Sequence, residues 1–594
     1  MSDRKAAWVA LALLSALALG VRLVGLDFLL PGLVEPDNNI ALQAELLGRG
    51  EPQPEADWRF GSYPLLVARC AVALPRASAM PEAGAGLEEH LRAASSWILR
   101  ARLAVALLSV LIVPGTYFLA RRFLGPGWSL FAAALMVASL LDTSFAQQAR
   151  PHAPLASMTV LALLAALRLR RAPTPAAYVV AGLATGAAVG TLHNGLAVLP
   201  ALAAAWLLRR RERGLASGVW ILATLAIAGV WIWRLYPTLY AGLERVRGGG
   251  DLDLGQRRLA QGEHEIFLVD FDGSGFRLTL EALWLYEPVL LSLAGVGLAR
   301  AAAALASGAR MAREGARDLT VVLAFALPYL AVLGAFARTL ERFTLPLLPP
   351  LACLAAYGGA GLAALAARAL PAGRPRRVAA FAVALALLAF PAAATAKLAL
   401  ARSRPSTLEE AARFLRGRAI PSERVLLTPG LDLPLFSSAE ALRTNRALFR
   451  DPQSYPRITN WFRHECRALE QGLELDPAEA RWNLLWVPSR PLLPGGEAAV
   501  AEHLKRYAGD WLVLEVFGPD RRQPFMDALR RAAATRGPCV ARFEPESDAP
   551  AYFAYEDIDF PPRWHRALRT MRIERTGPVI EIFDLRARQA ESPR

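Results

Sequence analysis

Two carboxylates stand directly after the first strongly apolar stretch of the chain. Glu35 and Asp37 follow the block at about 7–26, and Asn38 comes next. A carboxylate at the water–lipid boundary can act as a general base that takes a proton from an acceptor hydroxyl as the hydroxyl attacks an activated carbon. The alternative is that the pair is only the solvated end of a loop. The spacing by itself leaves both interpretations open.

Three later turns carry cationic side chains at the ends of apolar blocks. QQARPHAP holds Arg150 and His152, GTLHNG holds His193, and RTLERF holds Arg342 next to Glu341. An ionisable side chain at a helix end often only extends to the membrane–water interface. Each turn taken singly therefore favours a structural role. Together, arginines and histidines facing a carboxylate suit a lipid-linked phosphate leaving group and a nucleophile that must be deprotonated.

The elements that must position these groups are long apolar blocks. The chain has 594 residues, of which 54% are hydrophobic and 20% charged, and its mean hydropathy is +0.29. Soluble domains are about 45–50% apolar and about 25% charged. Disordered, collagen-like and small disulfide-rich classes are excluded, because apolar residues are abundant, Gly has no fixed period and only four Cys occur. The composition predicts a polytopic membrane protein with a sizeable soluble region.

Eleven blocks are long and apolar enough to be predicted membrane spans, since a spanning helix needs about 20 mostly apolar residues. They lie near 7–26, 98–120, 127–146, 154–170, 176–192, 194–208, 217–236, 281–299, 318–337, 345–366 and 377–398. The first is predicted to be a retained helix, because no small-residue cleavage site follows it. The division around Gly190–Gly195 leaves open one long tilted helix in place of two short ones.

Basic residues occupy every second connection between these blocks. Under the positive-inside rule the arginine-rich loops and the N-terminus face the cytoplasm. An odd number of spans then puts the C-terminus outside, so the prediction is a multi-pass protein of the plasma (inner) membrane with an extracytoplasmic C-terminal domain. The net charge of +15 follows from these loops and does not predict a nucleic-acid partner.

The predicted fold is a polytopic α-helical membrane domain at 1–400 followed by a soluble α/β domain at 401–594. Two outward loops are expected in the first domain, at 27–97 and at 237–280, the latter Gly- and Asp-rich and mobile. In the second domain RVLLTP, WNLLWVP, WLVLEVF and VIEIFDL read as buried strands, with helices between them. A disulfide between Cys466 and Cys539 and two separate buried thiols are equally compatible with the sequence.

The ordered motifs resemble the GT-C membrane glycosyltransferases, and among them glycosyltransferase family 39 and the lipid A aminoarabinose transferases. The resemblance is carried by RLVGLDFLLP, EPDNNIALQAELLGRG, Pro54 with SYPLL, PGTYFLARRFLGPGWSLFAAALMVAS, AGLATGAAVGTLHNG, RFTLPLLPPLACLAAYG and the terminal GPVIEIFDL. It covers about residues 10–425 in order, plus the tail. No single motif is specific for the family, and the resemblance depends on the order of the whole set.

This resemblance implies transfer of a sugar from a polyprenyl-phosphate donor to a lipid, glycan or protein acceptor at the outer face of the membrane, with single inversion at the anomeric carbon. It makes Asp37 the catalytic base. Arg150, Arg342 and His193 would stabilise the departing phosphate, while Glu35 and Tyr63 would orient acceptor or sugar. It implies no cofactor and no metal, although Glu35, Asp37 and His152 are an alternative ligand set for one divalent ion.

The chain departs from the family pattern at three positions. Asn38 stands where the family usually has Glu, His152 where it has Asp, and His193 where it often has Lys. These changes imply a different donor or acceptor, or a lost activity. The alternatives kept open are a transporter or lipid flippase, and a non-catalytic protein that binds lipid-linked sugars; the absence of a half-to-half repeat argues against the transporter.

Overall fold

The structure is a computed structural model. It describes residues 3–30, 39–50, 64–75, 87–209, 215–236, 252–253, 258–261, 264–307, 313–368, 370–371, 373–428, 431, 433–448, 462, 465–466, 481–487, 496–516, 524–545 and 566–586.

The described part of the first four hundred residues consists mostly of helices. The helices in chain order are α1 (Asp3–Leu23), α2 (Asn39–Arg49), α3 (Leu66–Ala73), α4 (Leu87–Ser109), α5 (Ile112–Ala120), α6 (Pro126–Val137), α7 (Leu140–Ala146), α8 (His152–Arg171), α9 (Pro175–Val189), α10 (Leu199–Leu207), α11 (Leu215–Leu235), α12 (Gly275–Tyr286), α13 (Pro288–Ala306), α14 (Arg313–Ala335), α15 (Leu348–Ala366) and α16 (Arg374–Arg402). Two 3-10 turns, His193–Val198 and Glu341–Leu347, lead into α10 and α15.

Eight helical segments of the described chain are long and apolar enough to cross a membrane. They are Lys5–Leu23, Ser95–Ala120, His152–Arg171, Gly218–Leu235, Pro288–Ala306, Arg313–Ala335, Glu341–Ala366 and Arg374–Arg418. The pair α6 and α7, bent by 51°, makes a ninth if it is one span. The predicted spans 176–192 and 194–208 correspond to shorter apolar helices, Pro175–Val189 and His193–Leu207. The chain therefore contains a helical membrane domain, and the count of eleven spans stays a prediction.

Two local expectations differ from the structure. The segment 237–280 was expected to be a mobile loop, but its described part holds three short antiparallel strands, β1 (Leu252–Asp253), β2 (Arg258–Gln261) and β3 (His264–Phe267), and the start of α12. The predicted span 281–299 begins instead at Pro288. A residue before proline is disfavoured in helical geometry, so the helix breaks at Glu287 and restarts with proline in its first turn.

The C-terminal part forms a five-stranded mixed sheet. Its strands are β4 (Arg424–Leu427), β5 (Asn483–Trp486), β6 (Trp511–Val516), β7 (Cys539–Phe543) and β8 (Val579–Asp584), in the order β5-β4-β6-β8-β7. Strands β5, β4 and β6 run parallel, and β8 pairs antiparallel with β6 and β7. All four predicted strands are confirmed, and β7 was not predicted. That this part is a separate soluble domain stays a prediction.

Helices connect and cover these strands. They are α17 (Thr407–Arg418), α18 (Ala439–Leu448), α19 (Gly496–Arg506), α20 (Pro524–Arg536) and α21 (Arg566–Thr570). The predicted N-cap of α17 is confirmed, since Ser406 and Glu409 form a reciprocal capping box. Cys466 and Cys539 are both free thiols, so the structure has no bond between them.

Candidate functional site

The structure tests only part of the predicted site. Glu35, Asp37, Asn38 and Tyr63 lie outside the described residues. Arg150, His152, His193 and Arg342 lie within them. The roles of all eight residues therefore remain proposals, and the geometry below concerns the four basic positions.

His152 occupies the first position of α8, where the preceding Pro151 ends an irregular turn. Its imidazole is almost fully buried, with 3% of its surface exposed. The ring lies between two aromatic rings, with centroid distances of 6.4 Å to Phe145 and 5.6 Å to Phe343. Its Nδ1 atom has no hydrogen-bond partner among the described residues. A buried ring nitrogen without a hydrogen-bond partner is energetically costly, and such atoms are rare in protein interiors.

The three other basic positions converge on His152. Its imidazole interacts electrostatically with Arg342, Arg150 and His193. The contacts between elements give the reason: α8 packs against both 3-10 turns, one beginning at His193 and the other containing Arg342. Four side chains separated by up to 192 positions in the sequence therefore meet in one region, as an anion-binding arrangement requires.

A tyrosine joins the two 3-10 turns. Tyr329 of α14 donates its hydroxyl to the Phe343 carbonyl oxygen at 2.8 Å and hydrogen-bonds the Asn194 side chain. Asn194 follows His193, and Phe343 follows Arg342. The phenol of α14 therefore bridges the two turns. No sequence motif pointed to this role.

The helix that follows the SYPLL motif is tied to the same region. The Leu66 amide donates to the Gly190 carbonyl oxygen at 3.2 Å, and the Leu65 amide donates to the Leu235 carbonyl oxygen at 2.6 Å. Gly190 lies three residues before His193. The described chain nearest Tyr63 is thus bonded to the turn that carries one of the predicted cations.

A second buried polar cluster lies beside α7, and sequence reasoning missed it. Arg22 at the end of α1 pairs with Asp142, and both side chains are fully buried. Glu287 accepts hydrogen bonds from the Ser139 hydroxyl at 2.6 Å and the Leu141 amide at 2.9 Å, at the start of the same helix. Each of these three ionisable residues lies inside a predicted apolar span. That position was the available signal, because charged groups within membrane segments usually have a partner and a function.

No group of three or more His, Cys, Asp or Glu side chains in the described ranges is arranged to hold a metal ion. The alternative ligand set of Glu35, Asp37 and His152 includes two residues outside those ranges. It is therefore not tested.

Part of the chain matches a known protein family. Residues 91–233 match the family model described as dolichyl-phosphate-mannose-protein mannosyltransferase. The matched segment includes α8 and three of the four converging positions, Arg150, His152 and His193. The resemblance to membrane glycosyltransferases predicted from the sequence is confirmed by this match. No curated protein sequence matches the chain significantly.

Several solved structures are similar over most of the chain. ArnT from Cupriavidus metallidurans, bound to undecaprenyl phosphate, is 17% identical, with 97% of each chain covered and a TM-score of 0.41. The oligosaccharyltransferase AglB from Archaeoglobus fulgidus, in complex with an inhibitory peptide and a dolichol-phosphate, is 13% identical, with 95% of this chain and 76% of that chain covered and a TM-score of 0.44. The arabinofuranosyltransferase AftD from Mycobacteria is 17% identical, with 98% of this chain and 40% of that chain covered and a TM-score of 0.36. Likeness at this level does not define a function.

Proposed function

We propose that this protein is a membrane glycosyltransferase. It moves a sugar from a polyprenyl-phosphate donor to a hydroxyl or amine of a lipid, glycan or protein acceptor on the outer side of the membrane. The observation that carries the proposal is the convergence of Arg150, Arg342 and His193 on the buried His152. The family match over the segment that contains three of these residues supports the same reaction class.

The two converging arginines, Arg150 and Arg342, suit the leaving group of this reaction. A polyprenyl phosphate carries its negative charge on phosphate oxygens, and that charge grows as the bond to the sugar breaks. Two guanidinium groups provide directed N–H donors, and a buried surrounding strengthens their attraction for the phosphate. His193 adds a further nitrogen near the same place.

Asp37 is the proposed base. Its carboxylate takes the proton from the acceptor hydroxyl, whose oxygen attacks the anomeric carbon of the sugar. The bond between that carbon and the phosphate oxygen breaks, and polyprenyl phosphate leaves with the electron pair. One displacement inverts the anomeric carbon. Glu35, Asn38 and Tyr63 orient the acceptor or the sugar, and His152 contacts the donor.

The proposed topology puts this chemistry outside the cytoplasm. His152 begins α8, and Arg168, Arg170 and Arg171 end it. A helix of 20 residues is about 30 Å long, which is the thickness of the hydrocarbon core. The positive-inside rule assigns the arginine end to the cytoplasm and hence His152 to the outer side. A reporter fused after Arg594 tests this assignment, since a cytoplasmic signal would contradict it.

The base is tested by replacing Asp37 with Asn in the purified full-length protein. The donors are undecaprenyl-phosphate-linked mannose and pentose, with an envelope lipid extract as the acceptor source, and the readout is release of undecaprenyl phosphate. Loss of a general base should lower the rate by about 100- to 10,000-fold. Donor binding should persist, because the carboxylate does not hold the phosphate.

The matched control is Asp27→Asn, which changes an exposed carboxylate in the same connection. It should turn over at the wild-type rate. If Asp37→Asn also turns over at that rate, Asp37 is not the base.

A further inference from the structure

The turn between α1 and the segment that carries Asp37 is held by side chains from distant elements. This turn, residues 24–30, is referred to below as the clamped turn. Arg102 of α4 donates to the carbonyl oxygens of Leu26 at 2.9 Å and Phe28 at 2.8 Å. Gln147, just after α7, donates its amide to the Val24 carbonyl oxygen at 2.7 Å. The backbone carbonyl groups of a buried turn need hydrogen-bond donors. Here one side chain of α4 and one just after α7 supply them.

An aromatic ring of the clamped turn is enclosed by two guanidinium groups. The Phe28 ring lies 4.1 Å from the Arg102 guanidinium carbon and 4.3 Å from that of Arg402. Arg402, the last residue of α16, also donates to the Gln147 side-chain oxygen at 2.7 Å. The three long side chains and the turn therefore form one continuous network, and moving any member disturbs the others.

Leu29 anchors the clamped turn to the C-terminal sheet. Its side chain is 6% exposed and belongs to the apolar core formed by α17 and strands β4, β5, β6 and β8. Its φ is 60°, a left-handed conformation that a branched side chain rarely adopts. Such a conformation persists only where the surroundings enforce it. The burial of this side chain in a distant core enforces the conformation together with the hydrogen bonds from Arg102 and Gln147.

Gly25 allows the closest approach within the same turn. A Cβ atom at this position would lie 2.6 Å from the Arg402 carbonyl carbon and 2.6 Å from the Ser403 nitrogen. Its φ of 70° also favours glycine. The end of α16, which leads into the sheet, therefore lies directly against the clamped turn.

The other flank of the Asp37 segment is also in contact with the C-terminal part. The helix α2 begins at Asn39, and its residues Ile40 and Ala41 form a buried cluster with α3 and α4. Phe436, which follows β4, packs against this cluster, as does Leu30. Residues on both sides of the segment 31–38 are thus held by contacts with the C-terminal part.

We propose that the C-terminal α/β part holds the clamped turn that leads to the proposed base, and that Leu29 is a positioning residue through which it acts. This inference rests on the proposed function for its catalytic consequence. Leu29 packs in the apolar core of the sheet. It fixes the clamped turn, and the clamped turn fixes where the chain enters the segment that carries Asp37.

Leu29→Gly and Leu29→Ala test the role of the side chain. Both remove the anchor, but glycine tolerates the left-handed backbone, so loss in Leu29→Gly cannot be attributed to strain. A misplacement of the base of about 1 Å lowers the maximal rate on the order of 100-fold, so kcat should fall strongly. The affinity for undecaprenyl-phosphate-linked sugar should fall much less than kcat, because Arg342 lies on an element outside this network. Leu29→Met, which refills the core, should restore kcat.

Matched controls are available in the same stretch. Val24→Ala changes an exposed side chain of the clamped turn. Gly20→Ala adds a Cβ where no atom lies within 4 Å, whereas a Cβ at Gly25 would lie 2.6 Å from the Arg402 carbonyl carbon. Both controls should keep kcat and the midpoint of thermal unfolding.

A nitroxide label at Leu33→Cys, with the four native cysteines replaced, gives a readout that does not need activity. The label spectrum should become more mobile in Leu29→Gly and Leu29→Ala and stay unchanged in Val24→Ala. If Leu29→Gly leaves both the label spectrum and kcat at wild type, the positioning role is overturned. If wild-type protein transfers no sugar from any donor, the proposed function fails, and the label spectrum alone still decides whether Leu29 holds the segment.

Discussion

At the scale of single residues, the candidate site is defined by the basic side chains that lie around His152. Arg342 is half-buried, its guanidinium carbon lies 5.4 Å from the centroid of the Phe343 ring, and that ring in turn packs on His152. Arg338, four residues earlier, has a side chain that is 56% exposed and pairs with Asp270 at 3.3 Å. Two arginines of one short segment thus have different surroundings, and only Arg342 belongs to the cluster around His152.

Arg342→Gln should weaken binding of undecaprenyl phosphate by about 10- to 100-fold, since a hydrogen bond to a charged group contributes about 1.5–3 kcal/mol. Arg342→Lys should recover part of the affinity, because it keeps the charge and loses the planar pair of donors. Equilibrium binding of undecaprenyl phosphate to the purified protein measures both. Arg338→Gln is the control and should bind normally; equal weakening in both variants would mean a general effect of charge.

At the scale of elements, α8 connects the site to the opposite end of the bundle. His152 begins this helix, and Arg170 near its end is fully buried against Asp318 of α14. Arg170 also donates to Glu314 at 3.0 Å, and Arg171 pairs with Asp318 as well. This ion-pair network holds α8 and α14 in register, and α14 is the helix that supplies Tyr329 to the site.

Asp318→Ala should destabilise the protein by about 3–5 kcal/mol, because it leaves the Arg170 guanidinium buried without its main partner. The midpoint of thermal unfolding in detergent measures the loss. Glu314→Gln alters a side chain of the same network that is 38% exposed, and it should change the midpoint little. A loss in Glu314→Gln as large as that in Asp318→Ala would contradict the importance of burial.

At the scale of the whole molecule, ion pairs at the end of β8 stabilise the C-terminal sheet, and their carboxylates can be protonated by acid. Arg586, just after β8, donates to Asp584 at 2.8 and 3.0 Å and to Glu423 at 2.5 Å. Its guanidinium carbon lies 4.3 Å from the centroid of the Trp511 ring. The last residues of the described chain are thereby joined to the turn that precedes β4.

These contacts predict an acid-sensitive stability. Hydrogen bonds from Arg586 lower the pKa of the Asp584 carboxyl below its ordinary 3.8. Burial acts to raise the pKa of Glu423, but hydrogen bonds from Trp511, Ile420 and Arg586 outweigh it and bring it below 4.5. The unfolded chain therefore binds these protons more readily, so the stabilisation is complete above pH 4.5 and is lost as the pH falls through the lowered values.

The unfolding midpoint, measured from pH 7 down to pH 3, should therefore fall at the acid end. Arg586→Gln should flatten this fall, because it removes the shared partner of both carboxylates. Arg506→Gln, at an exposed arginine of α19, should keep the wild-type profile. An unchanged acid profile in Arg586→Gln would show that other carboxylates govern it.

The sequence predicted the helical membrane domain and four of the five C-terminal strands, because runs of apolar residues and their lengths are local properties. It also singled out Arg150, His152, His193 and Arg342, since polar residues at the ends of apolar blocks are visible one turn at a time. It missed β7, whose partly exposed residues lack a buried apolar run, and the break at Glu287. Both depend on what lies alongside the segment in space.

Only the tertiary structure decided which of these groups meet. The convergence on His152, the pairing of Arg22 with Asp142 across α1 and α7, and the burial of Leu29 in a core formed by residues beyond 400 all join positions far apart in the chain. Charge and hydropathy along a sequence record what each segment needs, namely burial or a partner. Which partner satisfies that need is set by the packing of the helices and the sheet, because many distant segments offer the same chemistry and only one lies within reach.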